Sequence, residues 1–178
     1  MVDVSDIDVK VDVSRFDIDF YKTTAKTLSE TKENYPLFFP KETPDSIWLQ
    51  KIYDKDEQKL FEEVQRIYAD FTPVSSQLIA LFKHVKYYFP LFEVPKVTTL
   101  LTNIDYENRV IYTKNMLLIS LDVYLGSEHE FYGDYPKYIK QTNHKNHIVV
   151  EVANKIIETQ ILASLNRTFL SKMILAGK

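Results

Sequence analysis

Two stretches near the middle of the chain constrain its fold more than any other feature. Leu60, Phe61, Val64, Ile67 and Tyr68 recur at the spacing of one helix face, and Val74, Leu78, Leu81, Phe82 and Val85 repeat the pattern. Each stripe predicts an amphipathic helix that has to bury one side against another layer. The second is opened by Thr72-Pro73 and closed by Phe89-Pro90, because proline suits a first helical turn and disfavours helix in the residue before it. The pattern then changes to three short runs, Val97 to Thr102, Arg109 to Tyr112 and Met116 to Leu121, separated by the turn clusters Asp105-Tyr106-Glu107-Asn108 and Thr113-Lys114-Asn115. Turns this short predict an antiparallel meander. The third run is almost wholly apolar, so it is expected inside the sheet with both faces covered. Helices and strands are segregated along the chain. The expected class is α+β, a small antiparallel β-meander packed against several helices.

The flanks fill in the rest. Val9, Val11 and Val13 alternate with Asp8, Lys10 and Asp12, the period of a half-buried edge strand with charges on its open face. Asp17 to about Lys32 predicts a helix carrying Phe20 and Leu28, and Tyr35 to Pro40 a proline-bounded apolar loop. Thr43-Pro44-Asp45-Ser46 predicts a helix start with Thr43 as its cap. Tyr132 to Lys140 is aromatic-rich and fits neither helix nor strand cleanly. Ile148 to about Met173 predicts a long helix, with a break near Leu165 to Arg167 where Asn166 and Thr168 interrupt the stripe.

Composition excludes several kinds of chemistry. A length of 178 residues corresponds to about one domain. Lys plus Arg number 22 against 25 Asp plus Glu, a net charge of −3. The basic residues are scattered among acids, so no stripe for neutralising nucleic-acid phosphates exists. Cysteine is absent, which removes disulfides, thiol nucleophiles and cysteine zinc sites. With three glycines there is little to build a backbone phosphate cradle, and neither a P-loop nor a dinucleotide fingerprint occurs. No apolar run approaches the ~20 residues that span a bilayer. Residues Met1 to Asp6 lack the basic and apolar regions of a signal peptide. Two compartments are left open: the cytoplasm, or an exported domain without its leader.

The candidates for chemistry are few. His129-Glu130-Phe131-Tyr132-Gly133 begins like a zinc-peptidase motif but has Gly133 where the second histidine belongs. His144, His147 and Glu151 have the types and spacing to act as zinc or iron ligands if they share one helix face. The alternative is a polar approach to the helix, with Lys145 and Asn146 solvated. Asp105, Glu107 and Asp122 would serve acid–base work if the turns converge. Turn formation already accounts for Asp105, whereas Asp122 ends a strongly apolar run. His84 fits a helix-boundary position. No catalytic residue, resident metal or cofactor is assigned on these grounds.

Read together, several segments resemble a known family. They are Asp12 to Asp17, Tyr35 to Phe39, Pro44 to Trp48, His84 to Pro90, Asn108 to Tyr112, the dense run Leu121-Asp122-Val123-Tyr124-Leu125-Gly126, and Tyr135 to Ile139. In this order they resemble the GldB-like gliding-motility lipoproteins. The resemblance implies an exported protein, lipid-anchored through an N-terminal cysteine that would lie upstream of Met1, and required for surface gliding in association with type IX protein secretion. It implies no established enzymatic activity. It places the protein in the cell envelope, at the periplasmic face of a membrane, with other envelope or gliding-machinery proteins as partners, no nucleic acid, and membrane contact only through the anchor. Family chains continue past a segment like Phe169 to Ile174. Residues 1–178 are therefore expected to be a single GldB-like domain without the family's C-terminal part and its lipoprotein signal.

The order of sheet and long helix also resembles predicted zinc peptidases, whose helix bears His-Glu-x-x-His. The corresponding helix here starts near Ile148 and has no histidine through Lys178, so the implied fold is a degenerate zincin-like one without the zinc motif. The expected function is a non-enzymatic component of gliding motility acting through protein contacts. Its expected surface is an aromatic patch that includes Tyr124, Phe131, Tyr132 and Tyr135. The alternatives are a metal-dependent hydrolase of zincin ancestry, using His144, His147 and Glu151 or His129, and a glycan-binding module that stacks exposed tyrosines on sugars.

Overall fold

The computed structural model describes residues 2–162. Among these residues, seven α-helices pack around a four-stranded mixed sheet, so the class is α+β. The strands are β1 (Val13–Ser14), β2 (Lys96–Leu100), β3 (Val110–Tyr112) and β4 (Met116–Ser120), in the order β1-β2-β4-β3. β1 runs parallel to β2 with Val13 opposite Val97. β2 runs parallel to β4 with Lys96 opposite Met116. Only β3 and β4 pair antiparallel, with Val110 opposite Ile119.

The predicted antiparallel meander is therefore corrected. The β3–β4 hairpin exists, but β4 lies between β3 and β2. Burial explains the order. Leu117 and Ile119 of β4 are fully buried, whereas Ile111 of the three-residue β3 is exposed. An apolar strand gains most in the interior of a sheet, and a short strand with an exposed side chain suits the edge. The first segment keeps its predicted alternation, with Val9 buried and Asp8, Lys10 and Asp12 exposed. Only Val13 and Ser14 reach the sheet, as an edge strand.

The helix predicted from Asp17 to Lys32 is two helices, α1 (Phe16–Tyr21) and α2 (Leu28–Asn34). Threonines break it by bonding locally, which competes with the helical ladder. Thr23 Oγ1 donates to Asp19 O at 2.6 Å, and Thr27 Oγ1 accepts from Thr24 N at 3.0 Å. α3 (Asp45–Tyr53) starts after Pro44, but Thr43 makes no cap bond to it. α4 (Lys55–Tyr68) is capped by Asp54, whose carboxylate accepts from Asp56 N and Glu57 N at 2.9 and 3.1 Å. α5 (Thr72–Tyr88) follows. Both predicted stripes face the core: Val64, Tyr68, Leu78 and Phe82 are fully buried, each such side chain contributing about 1.5–3 kcal/mol relative to exposure.

The aromatic-rich stretch begins at the end of a 3-10 turn (Glu130–Tyr132) and closes with one short helix, α6 (Lys137–Lys140). α7 (Ile148–Leu162) buries Ile148, Val152 and Ile156 and packs on β3 and α5. The predicted continuation to Met173 and the break near Leu165 to Arg167 lie outside the described residues. Among the described residues no helix is long and apolar enough to cross a membrane.

Candidate functional site

Because β1, β2 and β4 are parallel and in register, all three end at the same edge of the sheet. The segments leaving that edge carry Asp17, Thr102 to Asp105 and Asp122. α4 contributes Glu57 and its cap, Asp54.

Asp122 sits in the 3-10 turn that follows β4 and is fully buried. Its Oδ2 accepts from the backbone N–H groups of Thr102 at 3.0 Å and Ile104 at 2.7 Å. These two bonds clamp a loop in which Asn103 (φ 57°) and Ile104 (φ 61°) both occupy the left-handed region. A β-branched residue is strained there and has to be held by its surroundings. Ile104 is held at both polar groups, because its carbonyl accepts from the Tyr135 hydroxyl at 2.9 Å. Burial pushes the Asp122 carboxyl up to about 6, against the opposing pull of the two N–H donors.

Beside this loop, Glu57 is gripped by the Tyr21 hydroxyl and the Lys51 ammonium. Burial alone would raise its pKa. The bonds from Lys51, Tyr21 and Asn103 more than offset that and hold the carboxyl below the usual glutamate range. A groove of about 440 Å³ opens here. Leu60, Ile104 and Phe131 form its apolar part, and Asp54, Asp56, Glu57 and Lys59 its charged rim.

The third polar centre is Asp17, also fully buried. Arg15 binds it in a bidentate fork at 2.9 and 2.7 Å. Gln65 adds a bond at 3.1 Å, and the Thr99 hydroxyl donates as well. Arg15 also bonds Tyr68 O at 3.0 Å and lies over the Phe71 ring. This network ties the end of β1 to β2 and α4.

The aromatic surface anticipated from sequence is not a surface. Tyr124 and Tyr132 are 0% exposed, and Phe131 and Tyr135 are half-buried. Hydrogen bonding explains why Tyr132 turns inward. Its hydroxyl donates to Asp122 O at 2.6 Å and accepts from Leu125 N at 2.9 Å. It thereby braces the same turn that positions Asp122. The carbonyl of Tyr124 accepts from the Tyr68 hydroxyl at 2.7 Å. Of the four residues, only Phe131 lines the groove.

The candidate ligands are placed as follows. His147 ends the 3-10 turn Lys145–His147 before α7 and His144 immediately precedes it, with ring centroids 5.8 Å apart. His147 Nε2 lies 3.8 Å from Glu151 Oε2. Burial lowers the His147 pKa, and the neighbouring Glu151 opposes it. His129 Nε2 is 3.2 Å from Glu63, and its Nδ1 accepts from Phe131 N at 3.3 Å, so both ring nitrogens are engaged within the fold. His84 bonds back to Ala80 O along its own helix. Among the described residues, no three His, Asp or Glu side chains are grouped so as to hold a metal ion. Asp105 spends its carboxylate on Glu107 N, Asn108 N and the Asn108 amide, as turn chemistry requires. It does not join Asp122 in a catalytic pair.

The sequence reading missed Asp17, Glu57 and the Asn103–Ile104 loop. Asp17 lay within a quoted segment with no role assigned, and Asp122 was grouped with Asp105 and Glu107 instead of the Thr102 to Ile104 loop it clamps. The nearest available signal was the position of Asp122 at the end of a wholly apolar run.

No curated protein and no solved structure matches this chain. A family model does, that of the gliding motility protein GldB, a lipoprotein family, over residues 1–178. That span takes in the sheet, the acidic edge and every segment that carried the resemblance, and on it the chain belongs to the gliding motility protein GldB family, with a role in gliding motility at the cell envelope.

Proposed function

We propose that this protein is a non-enzymatic lipoprotein component of the gliding machinery, linked to type IX protein secretion, that docks other envelope proteins at the periplasmic face of the outer membrane. The observation that carries this reading is the family match along the whole chain. The groove at the carboxyl edge of the sheet supports the docking part. It combines apolar Leu60, Ile104 and Phe131 with an acidic rim, a combination that suits a protruding partner side chain with an apolar stem and a cationic end. Glu57 is paired with Lys51 within the fold, so the negative charge of the rim comes from Asp54 and Asp56.

The test uses the full-length, lipidated protein as bait in native envelope. The expected result is recovery of gliding or secretion proteins by the natural chain and loss of that recovery with Asp56→Lys combined with Phe131→Ser, in a variant that circular dichroism shows to be folded. Undiminished recovery with the double substitution contradicts groove docking. Recovery of no gliding or secretion protein by the natural chain contradicts the wider reading.

A further inference from the structure

A second cavity lies behind the groove, among α1, the 3-10 turn Pro36–Phe38, α3 and the residue that follows β2. Its volume is about 130 Å³. Phe16, Phe20 and Tyr21 of α1 and Leu101 form its buried wall. Phe38 and Trp48 are half-buried and stand on its solvent side. The rings are held by one another: Phe16 stacks on Phe38 at 4.4 Å, and Phe20 meets Trp48 edge-on at 6.3 Å. The cavity and the groove have no lining residue in common.

The polar groups of the lining are spoken for, with one exception. Both oxygens of Asp17 are taken by Arg15, Gln65 and Thr99. Lys51 and the Tyr21 hydroxyl both bind Glu57. The charges at the cavity are therefore paired within the fold, and an ionic ligand finds no free counter-charge there. The exception is Trp48, whose indole N–H is buried and has no hydrogen-bond partner among the described residues.

We infer that this cavity binds a small neutral molecule, a compact apolar body of about one ring bearing one acceptor oxygen that takes the Trp48 indole N–H. Two separate costs fall at the same place. Space of this size within a core forfeits packing contacts, and a buried N–H without a partner costs the fold as well. One occupant with an apolar body and a single acceptor relieves both. Size sets the body, because an apolar cavity of about 150 Å³ holds one benzene ring. The aromatic wall suits a ring or a branched hydrocarbon. A free molecule fits better than a partner's side chain, because most of the lining is buried and would enclose the occupant. This site goes beyond docking at the groove and does not depend on it.

Trp48 is the only tryptophan of the chain, so its indole N–H gives a single NMR resonance that reads the cavity directly. The probe is cyclohexanone, with cyclohexane as the same ring lacking the acceptor. The expected result is a saturable downfield shift of the indole proton with cyclohexanone, and nuclear Overhauser contacts from its ring to Leu101 and Phe16. Cyclohexane is expected to give those contacts without the downfield shift. Leu101→Phe, which fills the cavity, is expected to weaken cyclohexanone binding about tenfold or more. The site is overturned if the indole shift grows linearly without saturating, or if the ring contacts fall elsewhere and miss Leu101. Both readouts use the natural chain and stand whether or not the variant folds. A folded Leu101→Phe chain that binds cyclohexanone undiminished also overturns it, and an equal shift with cyclohexane overturns the hydrogen bond.

Discussion

The two edges of the sheet use the same kinds of residue in opposite ways. At the carboxyl edge, several tyrosines and acids turn inward and bond the turns around them. Tyr132 braces Asp122 O and Leu125 N, Tyr135 pins Ile104 O, Asp122 clamps two N–H groups, and Asp17 holds the Arg15 fork. At the amino edge, Tyr87 and Tyr88 stand in solvent beside lysines. What makes Tyr132, Tyr135, Asp122 and Asp17 struts is a partner, backbone or side chain, within reach of the polar atom, and residue type does not settle it. A buried phenol or carboxylate that satisfies a turn becomes costly to remove. An exposed ring on a helix end costs the fold almost nothing to lose.

That contrast orders the expected effects of substitution. Asp17→Ala leaves Arg15 without its partner in a part-buried site, and denaturant unfolding is expected to show a loss of about 3–5 kcal/mol. A small loss would mean that the β1 edge is not fastened by this network. Asp122 makes stability depend on pH. Its folded pKa of about 6 lies above the ordinary 3.8, so the folded state holds the proton more tightly than the unfolded one. Its contribution is full below about 3.8 and is lost as pH rises through about 6, a swing of about 3 kcal/mol. Asp122→Asn is expected to flatten that slope between about pH 4 and 6, measured by unfolding at each pH. An unaltered slope assigns the titration to another group.

Tyr132→Phe removes one hydroxyl and strands Leu125 N and Asp122 O in the core, an expected cost of about 1–3 kcal/mol by thermal or chemical unfolding. The smallest change is expected at the amino edge. Tyr88→Ser with Leu91→Ser should stay within about 0.5 kcal/mol of the natural chain. A larger loss there would erase the distinction between the edges.

Much of the helical layer was legible because burial follows periodicity. The stripes from Leu60 to Tyr68 and from Val74 to Val85 were readable as core faces, and the apolar run from Met116 as an interior strand. Strand order was not legible. Short turns indicate which strands pair as hairpins, and they leave open whether β4 lies beyond β3 or between β3 and β2. The acidic edge was hidden for a related reason: Asp17 meets Gln65 and Thr99, 48 and 82 positions away, and no local pattern records such a contact. The aromatic patch was misplaced because composition does not report which rings a fold buries. Tyr124 and Tyr132 are as aromatic as Tyr87 and Tyr88, and are fully buried.

We propose that this GldB-family protein works through contacts made at its surface, with the acidic groove as the docking point. Gliding speed of single cells tests it most directly, with the chromosomal protein carrying Asp56→Lys and Phe131→Ser and present at its normal level. Gliding is expected to stop or slow severely while the protein stays folded. Cells that glide at full speed with an altered groove would contradict it.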